Sequence, residues 1–342
     1  MSHLDFSVLL KRVAAGKTLD AEASAAAFTQ IMSGEVGEAQ MAGFLTALAL
    51  RKPTVEEITG AVTAMRAAMK RTHAPDGAID LVGTGGDGHA TLNISSATSF
   101  VVAACGVPIA KHGNRNMTSK SGAADVIEAL GVKVDVTPEV AERCVNECGV
   151  SFLFAQGYHP AMKHVTPVRR ALGFRTIFNL LGPLSNPAGV KRQLLGVYAL
   201  EWLEPVAHVL ASHGAEKAWV VHGQDGLDEM SISGPTYVAK LENGQVSTTT
   251  VTPDDAGLPT HPLQAVKGGE APENAAALLR LLEGETGAYR DIVLLNAAAA
   301  LIVGDKAETL RQGVDIAAKA IDSGAAKAVL TKLIAVSNGV TP

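Results

Sequence analysis

The periodicity of the chain changes near residue 75, and this change is the strongest constraint on its fold. Before it, apolar residues recur at helical spacing, as in the segment Met41–Leu48, and Thr54–Glu57 has the sequence of a helix capping box. These patterns predict four short helices and no strand. Residues 72–77 contain a proline and a glycine and have the composition of a linker.

From Ala78 onward, short apolar runs alternate with helical patterns. This alternation predicts an α/β fold with a mostly parallel sheet that is covered on both faces. The C-terminal third, from Ala271, is helical again. The predicted strands are Ala78–Val82, Val107–Ala110, Val132–Asp135, Ser151–Phe154, Leu194–Val197, Ala218–Val221 and Thr236–Leu241.

One segment interrupts the alternation. Residues 166–173 have a threonine cap, a proline in the first turn and a terminal glycine, and residues 176–181 predict a second short helix with no strand between them. We expect this pair to pack on the N-terminal helices. The predicted domains are therefore a helical domain of residues 1–72, joined by 166–188, and an α/β domain of residues 76–165 and 189–342.

Charge and cysteine content narrow the classes of function. The 342 residues carry a formal net charge of -5, which argues against a general nucleic-acid or anionic-membrane binder. Three cysteines do not form a disulfide framework and suit a reducing cytoplasm. The N-terminus lacks the apolar core of a signal peptide, and no apolar stretch has the length of a membrane span.

Two polar loops follow predicted strands and indicate a phosphorylated ligand. Gly83, Gly85 and Gly88 fit a dinucleotide-binding pattern, which expects an acidic residue at the end of the next strand. That position is occupied by the basic segment Lys111–Arg115, and Asp87 would repel a pyrophosphate unless a metal intervened. The alternative interpretation is a tight turn that needs glycine for its dihedral angles.

Further donors and acids follow other predicted elements. Asn93–Ser96 begins a helix, where free N–H groups favour phosphate, although ordinary capping by Asn93 or Ser95 explains the segment better when it is taken alone. Asp228 and Glu229 are adjacent acids after a strand, which suits Mg²⁺ as well as a solvated turn. Arg169 is a candidate carboxylate clamp or a surface arginine. His159 and His164 are five apart and do not share a helix face, which argues against zinc.

Taken together and in order, these segments resemble the anthranilate phosphoribosyltransferase family over nearly the whole chain. The resemblance rests on Gly83–Asp87, Asn93–Ser96, Lys111–Arg115, Ser119–Gly122 and Asp228–Glu229, with Arg169-Arg170 in the stretch from Pro167 to Pro187. It implies a small all-helical domain hinged to a large α/β domain of the nucleoside phosphorylase and phosphoribosyltransferase type. It also implies a homodimer formed through the helical domain, and a cytoplasmic enzyme of tryptophan biosynthesis.

The resemblance also implies site residues. Asp228, Glu229 and Ser95 match metal ligands for Mg²⁺. Gly83, Asn114, His159 and Arg169 match anthranilate contacts. The residues that match contacts to phosphoribosyl pyrophosphate are Gly83, Gly86, Asp87, Thr91, Asn93, Ile94, Ser95, Ser96, Lys111, His112, Gly113, Asn114, Arg115, Asn116, Met117, Thr118, Ser119 and Ala123.

The implied reaction transfers phosphoribose from phosphoribosyl pyrophosphate to the amine of anthranilate. No strong general base is expected, and His112 and Arg169 are assigned positioning roles. Three residues depart from the family pattern: Ser96 replaces a usual threonine, Asn116 a small residue and Ala123 a serine. A pyrimidine nucleoside phosphorylase-like enzyme and a non-catalytic nucleic-acid-binding relative stay open as alternatives.

Overall fold

A seven-stranded sheet forms the centre of the structure, a computed structural model that describes residues 4–115 and 121–340. The strand order is β3-β2-β1-β4-β5-β6-β7. Strands β1 to β5 are parallel, and β6 and β7 continue the sheet antiparallel. The bounds are β1 Ile79–Gly83, β2 Ile109–Gly113, β3 Val150–Phe154, β4 Arg192–Gly196, β5 Lys217–Gly223, β6 Thr236–Glu242 and β7 Gln245–Val251.

The strand order reverses its direction of growth between β1 and β4. The chain runs outward from β1 through β2 to β3 and then returns to the other side of β1. Loops at the carboxyl ends of the two central strands therefore diverge and leave a crevice, which is where open α/β sheets bind ligands.

Helices cover the sheet on both faces. The four predicted N-terminal helices are confirmed, and so is the Thr54–Glu57 capping box. Within the described residues, no helix has the length and apolar content that crossing a membrane requires. The bounds are α1 Phe6–Ala14, α2 Ala21–Ser33, α3 Glu38–Arg51, α4 Val55–Ala68, α5 Ile94–Ala104, α6 Ala123–Ala129, α7 Pro138–Cys148, α8 Ala155–Tyr158, α9 Thr166–Leu172, α10 Phe178–Leu181, α11 Leu203–Ser212, α12 Ala271–Leu282, α13 Ala288–Val303, α14 Leu310–Asp322 and α15 Ala325–Ser337.

The sheet separates two hydrophobic cores because alternate strand residues point to opposite faces. Leu194 and Trp219 belong to the core that helices α5 and α12 to α15 complete. Leu195 and Val220 belong to the other core, which includes α11 and the N-terminal helices. The helical layer therefore shares one continuous core with one face of the sheet.

The irregular segment between β3 and β4 packs as its sequence suggests. Helix α9 contacts α3, and α10 contacts α4. Val168, Phe178 and Leu181 join the core of the N-terminal helices. The exact division of the chain into domains stays a prediction.

Two strand assignments differ from the sequence prediction. The predicted strand Val132–Asp135 is wrong: Val132 and Val134 are buried against helices, and the N–H of Lys133 donates to Ser337 Oγ instead of a neighbouring strand. Strand β7 was not predicted, because it is an edge strand whose residues are mostly polar and exposed. Edge strands bury too little surface to leave an apolar signature.

Candidate active site

Strands β1 and β4 each end in glycine, and these bare ends support the loop that carries Asp228 and Glu229, the acidic loop. Gly83 ends β1 and Gly196 ends β4, and a Cβ atom on either would overlap Asp228. At Gly196 the overlap is with the Asp228 carbonyl group, which is backbone and cannot move aside as a side chain could. The N–H of Thr84 donates to Gly196 O at 2.9 Å and ties the two strand ends together. The acidic loop therefore lies directly on the carboxyl edge of the sheet.

The adjacent acids Asp228 and Glu229 each accept a backbone hydrogen bond from a predicted ligand loop. Gly85 N donates to Asp228 Oδ2 at 2.7 Å, and Ser95 N donates to Glu229 Oε1 at 3.2 Å. Burial raises the pKa of both carboxyls, and the charge of Asp87 raises the pKa of Asp228 further. Burial thus disfavours the ionisation of Asp228 and Glu229, and the charge of Asp87 adds to this effect at Asp228.

This donor set fits a hard divalent cation. A bound cation is the most direct way to neutralise the negative charge of carboxylates that backbone N–H groups hold near one another. Mg²⁺ takes few protein ligands because it keeps most of its waters. The described residues contain no group of three or more acids, histidines or cysteines arranged as a complete metal cage. The arrangement suits an ion that is shared with a phosphorylated ligand.

Lys111 lies inside β2, which corrects the predicted loop position. The predicted strand ended at Ala110, but β2 continues to Gly113. The Lys111 ammonium donates to Leu81 O and to Ser95 Oγ, the latter at 3.0 Å. Burial lowers the pKa of Lys111, and the nearby carboxylates of Asp80 and Glu229 oppose that shift. The lysine therefore places a positive charge beneath the helix α5 N-terminus.

His112 and His159 form a buried neutral pair. Their Nε2 atoms are 3.3 Å apart, and His112 Nδ1 is 3.2 Å from Gly182 O. Because that carbonyl can only accept, His112 carries its proton on Nδ1 and turns the lone pair of its Nε2 toward His159. Burial lowers the pKa of His112 to about 3 and that of His159 to about 4. Both rings are uncharged at neutral pH.

This pair predicts a stability loss in mild acid. The folded-state pKa values lie below the ordinary value of 6.5, so the unfolded chain binds more protons and stability falls as the pH drops. Between about pH 7.5 and 5, each histidine should cost about 2 kcal/mol. Urea unfolding at both pH values should show a smaller acid loss in His159→Gln than in the native chain. An equal loss in both would contradict the neutral pair.

A buried hydrogen-bond network holds the backbone of His112. The Asp80 carboxyl accepts from His112 N at 3.0 Å and from Asn186 Nδ2 at 2.8 Å, and Asn186 Nδ2 also donates to Ala110 O. Burial raises the pKa of Asp80 to about 6. Sequence analysis missed both residues, because an acid within an apolar strand carries no sign of its partner 106 positions away.

Arg169 has no acidic partner among the described residues. It is partly buried on α9, and its guanidinium lies over the Phe178 ring with Cζ 5.7 Å from the ring centroid. Burial lowers the pKa of Arg169. Phe178 begins helix α10, and Gly182, the partner of His112, ends it, so one short helix carries the contacts of both the arginine and the histidine. An unpaired arginine of this kind suits a carboxylate ligand.

Arg175 was not predicted, yet it reaches the glycine loop. Its guanidinium donates to Gly86 O and lies 4.4 Å above the ring centroid of Tyr198. It connects the segment after α9 to the loop after β1. No sequence signal separates this arginine from Arg169 or Arg170.

The remaining predicted residues are distributed around this centre. Thr91 forms an isolated β-bridge with Lys267, Asn93 occupies the N-cap position of α5, and Ile94 is buried in the first turn of that helix. Asn114 Oδ1 accepts from the N–H of Arg115, and Gly113 packs against the Phe152 ring. Ala123 begins α6. Asn116, Met117, Thr118 and Ser119 lie outside the described residues.

Two predicted residues make no hydrogen bond to the acids or to Lys111 in the part of the chain that the structure describes. Arg115 pairs with Asp125 and Glu128 on α6, with N–O distances of 2.9 and 2.5 Å. Ser96 is buried, and its hydroxyl has no hydrogen-bond partner among residues 4–115 and 121–340. In this arrangement the Arg115 guanidinium is engaged by two carboxylates, whereas the Ser96 hydroxyl is left unpaired by the described residues.

Comparison with known families and structures gives a consistent result. Residues 7–69 match the helical bundle domain of a glycosyl transferase family, and residues 75–327 match the a/b domain of that family. The chain is 58% identical over 334 residues to anthranilate phosphoribosyltransferase of Rhodopseudomonas palustris strain HaA2, covering 98% of this chain and 99% of the relative. It is 57% identical over 335 residues to the enzyme of the same name from Nitrobacter hamburgensis, with the same coverage.

Solved structures agree with the fold. Anthranilate phosphoribosyltransferase from Thermus thermophilus is 42% identical, with a TM-score of 0.92, and the match covers 96% of this chain and 99% of that one. The Saccharomyces cerevisiae enzyme, solved in complex with PRPP and Mg, is 29% identical with a TM-score of 0.89 and 98% coverage of both chains.

Proposed function

The chain belongs to the anthranilate phosphoribosyltransferase family, and from this premise we propose that the crevice between the ends of β1 and β4 is its catalytic centre. The enzyme transfers phosphoribose from 5-phosphoribosyl 1-pyrophosphate to the amine of anthranilate. The products are N-(5-phosphoribosyl)anthranilate and pyrophosphate, in the second step from chorismate to tryptophan.

One observation carries the assignment of the centre. Asp228 and Glu229 are held by N–H groups of the glycine loop and of the α5 N-terminus, while Lys111 donates to Ser95 from below. A site that combines converging carboxylates with a buried ammonium and a helix N-terminus suits a pyrophosphate with its cation.

Mg²⁺ is the cofactor, and Asp228, Glu229 and Ser95 would hold it. When bound, Mg²⁺ neutralises the negative charge that grows on the departing pyrophosphate. Lys111 adds a fixed positive charge beneath the same position. The N–H groups that remain free at the start of α5 would bind phosphate oxygens.

The acceptor side needs placement more than activation. An arylamine is neutral at pH 7 and carries its own lone pair, so a strong general base is unnecessary once the amine is aligned. The uncharged His112–His159 pair would line the path of the ring without competing for the proton. Arg169 would hold the anthranilate carboxylate, and closure of the crevice would exclude water from the sugar donor.

The direct test mixes the protein with anthranilate, phosphoribosyl pyrophosphate and Mg²⁺ and follows the loss of anthranilate fluorescence. We expect turnover that stops when EDTA is added and resumes with excess Mg²⁺. A separate mixture of inorganic phosphate and a pyrimidine nucleoside should give no reaction, which would exclude the nucleoside phosphorylase alternative. Absence of fluorescence loss under all Mg²⁺ concentrations would reject the proposed function.

Arg169→Ala should raise the anthranilate KM selectively. Removing a charge-assisted, forked contact to a carboxylate costs about 1.5–3 kcal/mol, so the anthranilate KM should rise about 10- to 100-fold. The KM for the sugar donor should change about twofold at most, because in this proposal Arg169 contacts the acceptor and not the donor. Arg170→Ala is the matched control, since Arg170 is the next residue on the same helix and its side chain is exposed. Equal increases in both KM values would remove Arg169 from this role.

We also propose a cytoplasmic homodimer formed through the helical layer. Val8 on α1 and Leu50 on α3 are 56% and 83% exposed, which leaves apolar side chains on the outer surface of that layer. Leu50→Glu should weaken association, as measured by light scattering during gel filtration. A native chain that elutes as a monomer would contradict the dimer.

A further inference from the structure

We infer that Asn274, on helix α12, is a positioning residue for the phosphorylated sugar donor, an inference that rests on the function proposed above. Asn274 is buried, with 2% of its surface exposed, and its amide is fully hydrogen bonded. Its Oδ1 accepts from Gly269 N at 2.7 Å. Its Nδ2 donates to Asn93 Oδ1 at 3.0 Å and to Ser121 Oγ at 3.1 Å.

The hydrogen bonds fix the orientation of both amides. A backbone N–H can only donate, so the atom of Asn274 that faces Gly269 is its oxygen. The NH₂ group of Asn274 then faces Asn93, and because NH₂ can only donate, the Asn93 atom that receives it is also oxygen. The NH₂ group of Asn93 makes no hydrogen bond to any residue of 4–115 or 121–340 and is left for a ligand.

Asn93 stands where an anion would bind. It is the N-cap of α5, but its side chain makes no capping bond. Tyr289 on α13 donates to the Asn93 carbonyl oxygen at 3.2 Å, so two C-terminal helices hold this residue at two points. Two residues further on, Ser95 contacts both Glu229 and Lys111. With Asn274 in place, a phosphate at this helix end meets an amide donor; with the amide reversed, it meets a repelling oxygen.

Asn274→Asp tests this orientation with almost no change in shape. The new carboxylate can accept from Gly269 N but cannot donate to Asn93. Asn93 would then turn its own NH₂ group toward the carboxylate and away from the ligand. We expect the KM for phosphoribosyl pyrophosphate to rise about tenfold, because the phosphate loses a donor and meets an acceptor instead. The anthranilate KM should change about twofold at most. Glu273→Gln, an exposed neighbour on α12, is the matched control.

A double-mutant cycle separates this role from a general structural one. In the Asn93→Ala background, Asn274→Asp should change the donor KM by about twofold at most, because its effect is transmitted through the missing amide. Asn274→Ala gives the same test without a buried charge if the aspartate variant does not fold. A full rise of about tenfold in the Asn93→Ala background, an equal rise in both KM values, or an unchanged donor KM would overturn the inference. Turnover by the native chain tests the proposed function separately.

Discussion

Replacing both Asp228 and Glu229 with their amides should reduce Mg²⁺-dependent turnover by about a thousandfold or more. Neutralising the leaving pyrophosphate through a bound cation contributes several kcal/mol, and about 4 kcal/mol corresponds to three decades in rate. The amides can still accept from Gly85 N and Ser95 N, so the loop should keep its shape. Initial rates over a Mg²⁺ titration measure the effect, and turnover that stays within about tenfold of the native rate would remove these acids from the metal site.

Thermal unfolding distinguishes this loss from unfolding. Burial disfavours ionisation of the two acids, and so does a neighbouring negative charge, that of Asp87 for Asp228 and that of Asp228 for Glu229. The amide variant should therefore be at least as stable in EDTA. Mg²⁺ with pyrophosphate should raise the Tm of the native chain and leave that of the variant unchanged. The exposed adjacent pair Asp254 and Asp255, replaced by asparagines, is the charge-matched control for activity.

Gly196→Ala should have the second largest effect. The added methyl group would overlap the Asp228 carbonyl carbon and oxygen, so the acidic loop must lift off the strand end. Overpacking of this kind costs about 1–3 kcal/mol of stability. Displacing the metal acids by about 1 Å should lower kcat about a hundredfold, because alignment is lost. Urea unfolding and steady-state kinetics measure the two effects separately.

Gly157→Ala is the control for Gly196→Ala. A Cβ at Gly157 meets no atom within 4 Å, and this glycine does not have a positive φ. It lies in α8, where alanine is favoured over glycine by about 0.5–1 kcal/mol. The expected effect on stability is therefore opposite in sign. If Gly196→Ala behaved like this control, the loop would not depend on the bare strand end.

The sequence predicted most of the fold because its strands are buried. Six of the seven predicted strands are confirmed, and each of them carries a run of apolar residues that burial requires. The predicted strand Val132–Asp135 alternates valines with charged residues, as a half-buried strand would. Its two valines pack against helices instead, and periodicity cannot distinguish helices from a sheet as the burying partner. Strand β7 is exposed at the edge and so lacks the pattern.

The site was predictable where chemistry is carried by local clusters. Each of three segments, the glycine loop, the α5 start and the Asp228–Glu229 pair, is a short run of consecutive residues. The structure brings the three runs into hydrogen-bonding contact. Sequence analysis missed the residues whose role is to hold other site residues in place. Asn274, Asp80 and Arg175 stand in ordinary surroundings in the sequence, and only the fold shows what each of them contacts.

The bond between Asn274 and Asn93 spans 181 positions of sequence, and this separation has a consequence for biosynthesis. A growing chain exposes the glycine loop and the start of α5 long before α12 leaves the ribosome. Contacts of such long range form late, because the intervening chain must be ordered first. We therefore expect that a nascent chain ending before α12 contains every motif of the site yet cannot retain the sugar donor.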